Sequence, residues 1–296
     1  MPAVSTHSGD IPLAILTDEQ TRTDDLLATE GAPAPGLQVY YTLSTGAGKT
    51  EALSSWQESL SHHLLVWISA ASLPAAAPVV SDAASRHRLA GLLVQDEDPA
   101  WLPQLLRRAN LRTLRNTFAH GPSDPDVPRR VLSAWRLGAQ NDLIADARVV
   151  DSKLLVLSCA FEPFEVPFEA HPALARIPDE ERSRFAVAED GSLITWDAEP
   201  HAIDLDLDAL RYVIDAAFRE TVDRERRLHA AAYGAAIRAL RKERGVLQSD
   251  VDGLSERQVR RIEKEGTTSV DALQSLADAH GLPLNEYLDE LAERTP

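Results

Sequence analysis

From Ala232 onward the chain has little choice of fold, because Gly245, Gly253, Gly266 and Gly281 cut it into short pieces with helical periodicity. Tyr233, Ile237 and Leu240 form one apolar stripe that stops at Gly245. A very short helix fits Gln248 to Asp252, ahead of Gly253. LSERQVRRIEKEG follows, in which Ser255 is a natural N-cap and Gln258 stands at the capping-box spacing. Val259 and Ile262 face inward there, and Gly266 ends the helix. Ser269 opens a fourth helix with Val270, Leu273 and Leu276 inside, and Pro283 a fifth with Leu284, Leu288 and Leu291 inside. Helices this short are stable only when packed on one another, so residues 232–296 read as an all-α domain.

With Val259 and Ile262 in the core, Glu256, Arg257, Arg260, Arg261 and Lys264 must project outward. The 296-residue chain carries a net charge of −16, yet residues 224–264 hold 11 Lys/Arg against 6 Asp/Glu. Screening limits electrostatic reach to roughly 10 Å, so a basic island on an acidic chain still attracts phosphate. Five short helices with the third basic and capped resemble the Cro/lambda-repressor-like helix-turn-helix family, over Ala232 to about Leu291. The most specific pieces are Ser255 to Gly266 and SVDALQSLADAHG; the second helix and its turn are shorter than is usual. The resemblance implies a sequence-specific transcriptional regulator, a repressor or autoregulator, that binds double-stranded DNA as a homodimer. Gln248 falls on the family's phosphate-contacting glutamine, with Ser249 beside it. Ser255, Glu256, Arg257, Gln258, Arg260, Arg261 and Lys264 fall on the recognition helix, where Arg257 and Gln258 would reach guanine and adenine.

Upstream, the expected class is α+β and multidomain. Residues 1–36 are polar and end in the linker-like GAPAPG. Residues 37–142 form a domain, α/β or helical, with LQVYYTL and HLLVWIS as strands, GKTEALSSWQESL as a helix, an apolar run at Leu89 to Val94, and helical segments around Leu102 to Phe118. Residues 143–211 read as a small α+β domain with ARVV, LLVLSCAF and FEVPF as strands and a hairpin turning at Asp190-Gly191, a dipeptide suited to a type I′ turn. A connecting helix over 212–231 then leads into the C-terminal domain. Ile144 to Arg211, through FAVAEDGSLITWDAEPHAIDLDLDAL, resembles a small domain-of-unknown-function family often fused to such modules and found beside toxin–antitoxin genes, which implies a locus of that or a mobile-element type. His171 and His201 stand alone. Asp204, Asp206 and Asp208 alternate, as a solvated strand edge with an N-cap at Asp206 or as a cation contact. No metal or cofactor site is assigned.

Two further motifs compete for the N-terminal block. LSTGAGKT, after a strand and before a helix, resembles a P-loop: Gly46, Gly48, Lys49 and Thr50 would hold nucleotide phosphates and magnesium, with Asp96 after LLVQ as a Walker-B-like acid. Leu43 stands where that pattern opens with glycine. LRNTFAHG resembles the signature of HEPN-type ribonucleases through Arg115, Asn116 and His120, in domains that are entirely helical. A parallel sheet favours nucleotide and a helical bundle favours ribonuclease; either would fuse an enzyme to a DNA-binding end. Otherwise the block serves a protein partner or small ligand. The single cysteine, Cys159, allows no disulfide within one chain and fits a cytoplasmic protein. The most apolar stretch, Leu64 to Val80, is interrupted by Pro74 and Pro78, and MPAVSTHSGD lacks the features of a signal peptide, so no membrane association is expected.

Overall fold

A computed structural model describes residues 13–18, 37–42, 63–122, 125–197 and 202–295. The chain divides into two compact units, Met1–Ile214 and Asp215–Pro296. Both helices and sheets are present, as an α+β chain requires, and no helix among the described residues is long and apolar enough to cross a membrane.

The first unit is built on five parallel strands, β1 (Leu13–Thr17), β2 (Leu37–Thr42), β3 (His63–Ser69), β4 (Leu89–Gln95) and β5 (Thr117–His120), in the order β2-β1-β3-β4-β5. Successive side chains of a strand point to opposite faces. Leu64, Val66 and Ile68 therefore pack with α1 (Leu73–Ser85) and α2 (Leu102–Arg108), while Leu65 and Trp67 pack with α3 (Asp126–Leu137). Layers on both faces explain why HLLVWIS and LAGLLVQ are near-continuous apolar runs.

Two segments differ from expectation. Leu13–Thr17, inside the supposedly polar 1–36 segment, is a wholly buried strand between β2 and β3. A strand buried on both faces shows no alternation, and five apolar-rich residues among polar ones leave no periodic signal. Thr117–His120 is a strand, where a helix was expected. Asn110, at φ 59°, ends the turn after α2 in a left-handed conformation. Asn116 Nδ2 then donates to the carbonyls of Leu89 (2.6 Å) and Ala90 (3.3 Å), which lays β5 along β4. The N-terminal block is thus a parallel sheet with helices, and the helical bundle is overturned.

The boundary expected near residue 142 does not separate two domains. An antiparallel sheet of β6 (Ile144–Val150), β7 (Lys153–Ser158) and β8 (Pro163–Pro167) shares its core with the parallel sheet: Ala145, Cys159 and Phe161 pack among Leu65, Trp67 and Val131. Arg130 Nε donates to the Ala145 carbonyl at 2.9 Å, and Trp135 Nε1 to that of Cys159 at 3.0 Å. Burial raises the Cys159 thiol to about 12. Phe161, at φ 63°, lays its ring against Gly91, where an added Cβ would lie 2.1 Å from a ring carbon.

A second antiparallel sheet, β9 (Phe185–Val187), β10 (Ile194–Trp196) and β11 (Ile203–Leu205), packs with α4 (Leu207–Ile214) around Trp196 and Phe168. The β9–β10 hairpin forms as expected, but its turn is wider than type I′. Gly191 alone takes a positive φ, 76°, and its N–H donates to the Ala188 carbonyl. Its own carbonyl accepts from Ile144 N at 2.8 Å, which ties the hairpin to β6. Asp206 caps α4 by accepting from Ala209 N at 2.7 Å, and Asp204 accepts from Thr195 Oγ1 at 2.8 Å. His171 Nδ1 accepts from Ala173 N, and His201 lies outside the described residues. Among the described residues no three metal-ligating side chains come together.

The second unit opens with Asp215, whose carboxylate caps α5 by accepting from Ala217 N and Phe218 N. The 28-residue α5 (Ala216–Glu243) joins the expected connecting helix and the first short helix into one. The expected second helix is only a 3-10 turn, Gln248–Asp250; α6 (Glu256–Glu265), α7 (Val270–Ala279) and α8 (Leu284–Ala292) follow. The unit therefore holds four α-helices and a turn in place of five helices. Ile237, Leu240, Val259, Ile262, Leu276 and Leu291 form its core. Val270, expected inside, is 68% exposed, and Tyr287 is buried where Leu288 was expected.

Gly91→Ala drives a methyl into the Phe161 ring and is expected to destabilise the first unit by about 1–3 kcal/mol. Urea unfolding followed by tryptophan fluorescence measures this, and an unchanged midpoint contradicts a core shared across residue 142.

Candidate nucleic-acid interface

Two glycines bring α5 and α6 together. A Cβ on Gly234 would lie 2.7 Å from the Glu263 carbonyl oxygen, and one on Gly266 would lie 1.6 Å from that of Ala230. The helices thus touch backbone to backbone, closer than any larger residue permits. Beside this contact the Arg241 guanidinium pairs with the Glu263 carboxylate, both buried. Arg241 Nη1 also donates to the Val246 carbonyl at 2.6 Å, and Gln248 Nε2 donates to Glu263 Oε2 at 2.8 Å. One buried carboxylate therefore holds together α5, the 3-10 turn and α6.

Both ends of α6 are fixed. Ser255 Oγ accepts from Gln258 N at 3.3 Å, and Gln258 Oε1 accepts from Ser255 N at 2.8 Å, which completes the expected capping box. Gly266 closes the helix at φ 68°, its N–H donating to the Ile262 carbonyl at 2.8 Å. Val259, Ile262 and Glu263 are the buried residues of this helix, so the remaining side chains face solvent.

From Arg238 onward, charge pairing sorts the cations into two groups. Arg241 pairs with Glu263, Arg244 with Glu290, and Arg294 with Glu243 at 3.2 Å. Arg238, Lys242, Arg257, Arg260, Arg261 and Lys264 are exposed and form no ion pair with the described residues. All six lie on α6 or on the end of α5 facing it. Between these helices and the 3-10 turn runs a groove of about 760 Å³, with Arg238 and Lys242 on α5 and Arg260 and Lys264 on α6. Glu256 also lines the groove. Arg257 and Arg261 lie one turn apart on the adjoining stripe of α6.

The expected interface residues divide accordingly. Arg257, Arg260, Arg261, Lys264 and Glu256 are exposed together on one helix. Gln248 is engaged by buried Glu263, while Ser255 and Gln258 are engaged by the cap and remain exposed. Ser249 is exposed, its hydroxyl donating to Asp250 at 3.2 Å. Arg238, Lys242 and Glu263 were not singled out in the sequence. Lys242 is one turn from Arg238 and adjacent to Arg241, and a glycine inside a helix, Gly234, was the available sign of a close neighbour.

The motifs of the first unit are not assembled into a site by the described residues. Gly46, Gly48, Lys49 and Thr50 lie outside the described residues. Asp96 directly follows β4, its carboxylate accepting from Asp98 N at 2.8 Å. Strands β3 and β1 separate β4 from β2, the strand preceding LSTGAGKT, which at about 4.8 Å per strand is a distance of roughly 14 Å. His120 is buried: Trp67 Nε1 donates to its Nε2 at 3.0 Å, and its Nδ1 lies 2.9 Å from the Gly121 carbonyl oxygen. Arg115 is exposed and Asn116 is bonded to β4, so the three residues stand at the edge strand of a parallel sheet and not in the helical domain that the resemblance implies.

Comparison with protein-family models, with curated proteins and with solved structures finds no match to this chain.

Glu263→Leu leaves Arg241 buried without its counter-ion and is expected to cost about 3–5 kcal/mol, most of it recovered in Arg241→Met/Glu263→Leu. Denaturation followed by far-ultraviolet circular dichroism checks this. An equal loss in the single and double variants contradicts the pairing.

Proposed function

We propose that the C-terminal unit binds double-stranded DNA through α6, and that the protein is a sequence-specific transcriptional regulator. The observation that carries this reading is the set of unpaired cations on α6, a helix whose ends are capped and whose inner side is locked to α5. A ten-residue helix is about 15 Å long and, with side chains, about as wide as the major groove. Its exposed N-terminal turn offers Arg257 to base edges, and Arg261 and Lys264 follow toward the phosphates. The −16 net charge carried by the whole chain favours this basic patch over promiscuous contact elsewhere. One such helix contacts one half-site, so the reading includes a homodimer on half-sites about 34–36 Å apart. The first unit is assigned a protein partner or a small ligand.

Duplexes selected from a random pool by the full-length protein provide the test. Arg257→Ala is expected to cost about 1–3 kcal/mol on the selected duplex and to relax preference at one base pair. Failure of the wild-type protein to enrich any duplex contradicts the proposal.

A further inference from the structure

Within a DNA-binding mode, a helix that enters the major groove must also be braced on the backbone, because base contacts alone do not set its angle. A second helix ahead of α6 would offer aligned N–H groups and a positive dipole end for that purpose. Here that element is only the 3-10 turn Gln248–Asp250, and its Gln248 side chain is bonded to Glu263. Bracing must come from elsewhere on the unit.

We infer that the groove between the end of α5 and α6 is a phosphodiester clamp, in which Arg238 and Lys242 on α5 and Arg260 and Lys264 on α6 hold one DNA strand beside the major groove. The inference rests on the DNA-binding reading above and deepens it: α5 becomes a backbone contact and α6 the reader. Arg238 and Lys242 are one helical turn apart, as are Arg260 and Lys264, so each side presents two charges to successive phosphates. None of the four has an ion pair among the described residues, whereas Arg241, which also lines the groove, is neutralised by Glu263. At about 760 Å³ the groove is larger than one phosphate group, which suits a continuous backbone better than a free anion. Leu247, 62% exposed at the same groove, provides an apolar surface for a sugar. Glu256 is the one lining acid without a basic partner, and it opposes phosphate at its own end of the groove.

The test uses the full-length protein and its selected duplex, with a scrambled duplex of equal length, titrated by fluorescence anisotropy between 50 and 300 mM salt. Arg238→Gln/Lys242→Gln is expected to lower the slope of log affinity against log salt by about two, roughly 0.9 for each phosphate released. It is expected to weaken selected and scrambled duplexes by the same factor, while Arg238→Lys/Lys242→Arg retains the wild-type slope. Both positions are exposed on a helix, and an unchanged circular dichroism spectrum confirms that the fold is intact. An unchanged slope in the double glutamine variant, with binding abolished by Arg257→Ala/Arg261→Ala, overturns the clamp and leaves the DNA reading standing. Loss of the preference for the selected duplex overturns it as well, since that places the two residues on bases. Displacement of DNA by stoichiometric tripolyphosphate overturns it in favour of a small-anion pocket. Absence of binding to any duplex by the wild-type protein overturns both readings.

Discussion

The buried Arg241–Glu263 pair is the contact on which the second unit depends. A carboxylate out of water must be paired and hydrogen-bonded, and Glu263 meets that demand with Arg241 from α5 and Gln248 from the 3-10 turn. Arg241 in turn bonds the Val246 carbonyl, just past the glycine that ends α5. Three consecutive elements thus converge on one ion pair. The backbone contacts at Gly234 and Gly266 set how closely α6 approaches α5, and the ion pair together with the apolar burial of Val259 and Ile262 fixes its rotation about its own axis. That rotation turns Val259 and Ile262 inward and, by elimination, turns Arg257, Arg260, Arg261 and Lys264 outward. A buried pair of this kind contributes little net stability compared with apolar packing, so its value lies in orientation.

The first unit is organised by a different constraint. Its five parallel strands need cover on both faces, and α1 and α2 cover only one. The other face is covered by α3 together with β6 and β7, which is why residues on either side of position 142 form one core. Phe161 in a left-handed conformation against Gly91 joins the two sheets where neither has room for a second side chain. Just past the carboxyl end of β1, Asp18 accepts from Ser69 N at 2.9 Å, at the end of β3, and from Ser72 Oγ at 2.8 Å.

Part of this architecture was legible in the sequence where local chemistry is decisive. The Ser255–Gln258 capping box, the glycine stops, the β9–β10 pairing and two strands of the parallel sheet, β2 and β3, follow from residue type and spacing alone. What was hidden depends on partners distant in the chain. Leu13–Thr17 has no alternation because both of its faces are buried, and Thr117–His120 is recruited by Asn116 bonding to β4. The candidate site was legible as a basic helix but not as a two-sided groove, since no spacing within α6 reveals that Arg238 and Lys242 face it. In sequence Glu263 is one charge among several on α6; only the fold shows that it is the buried one.

The central claim is that the face presented by α6 and the end of α5 is where this protein meets DNA. Hydrogen exchange on the full-length protein, with and without its selected duplex, tests that most directly. Slowed exchange is expected in peptides covering 244–266, where the turn and the cap of α6 lie, with unchanged exchange in the parallel sheet. Protection confined to residues 63–122, or binding that leaves 244–266 unchanged, would contradict it.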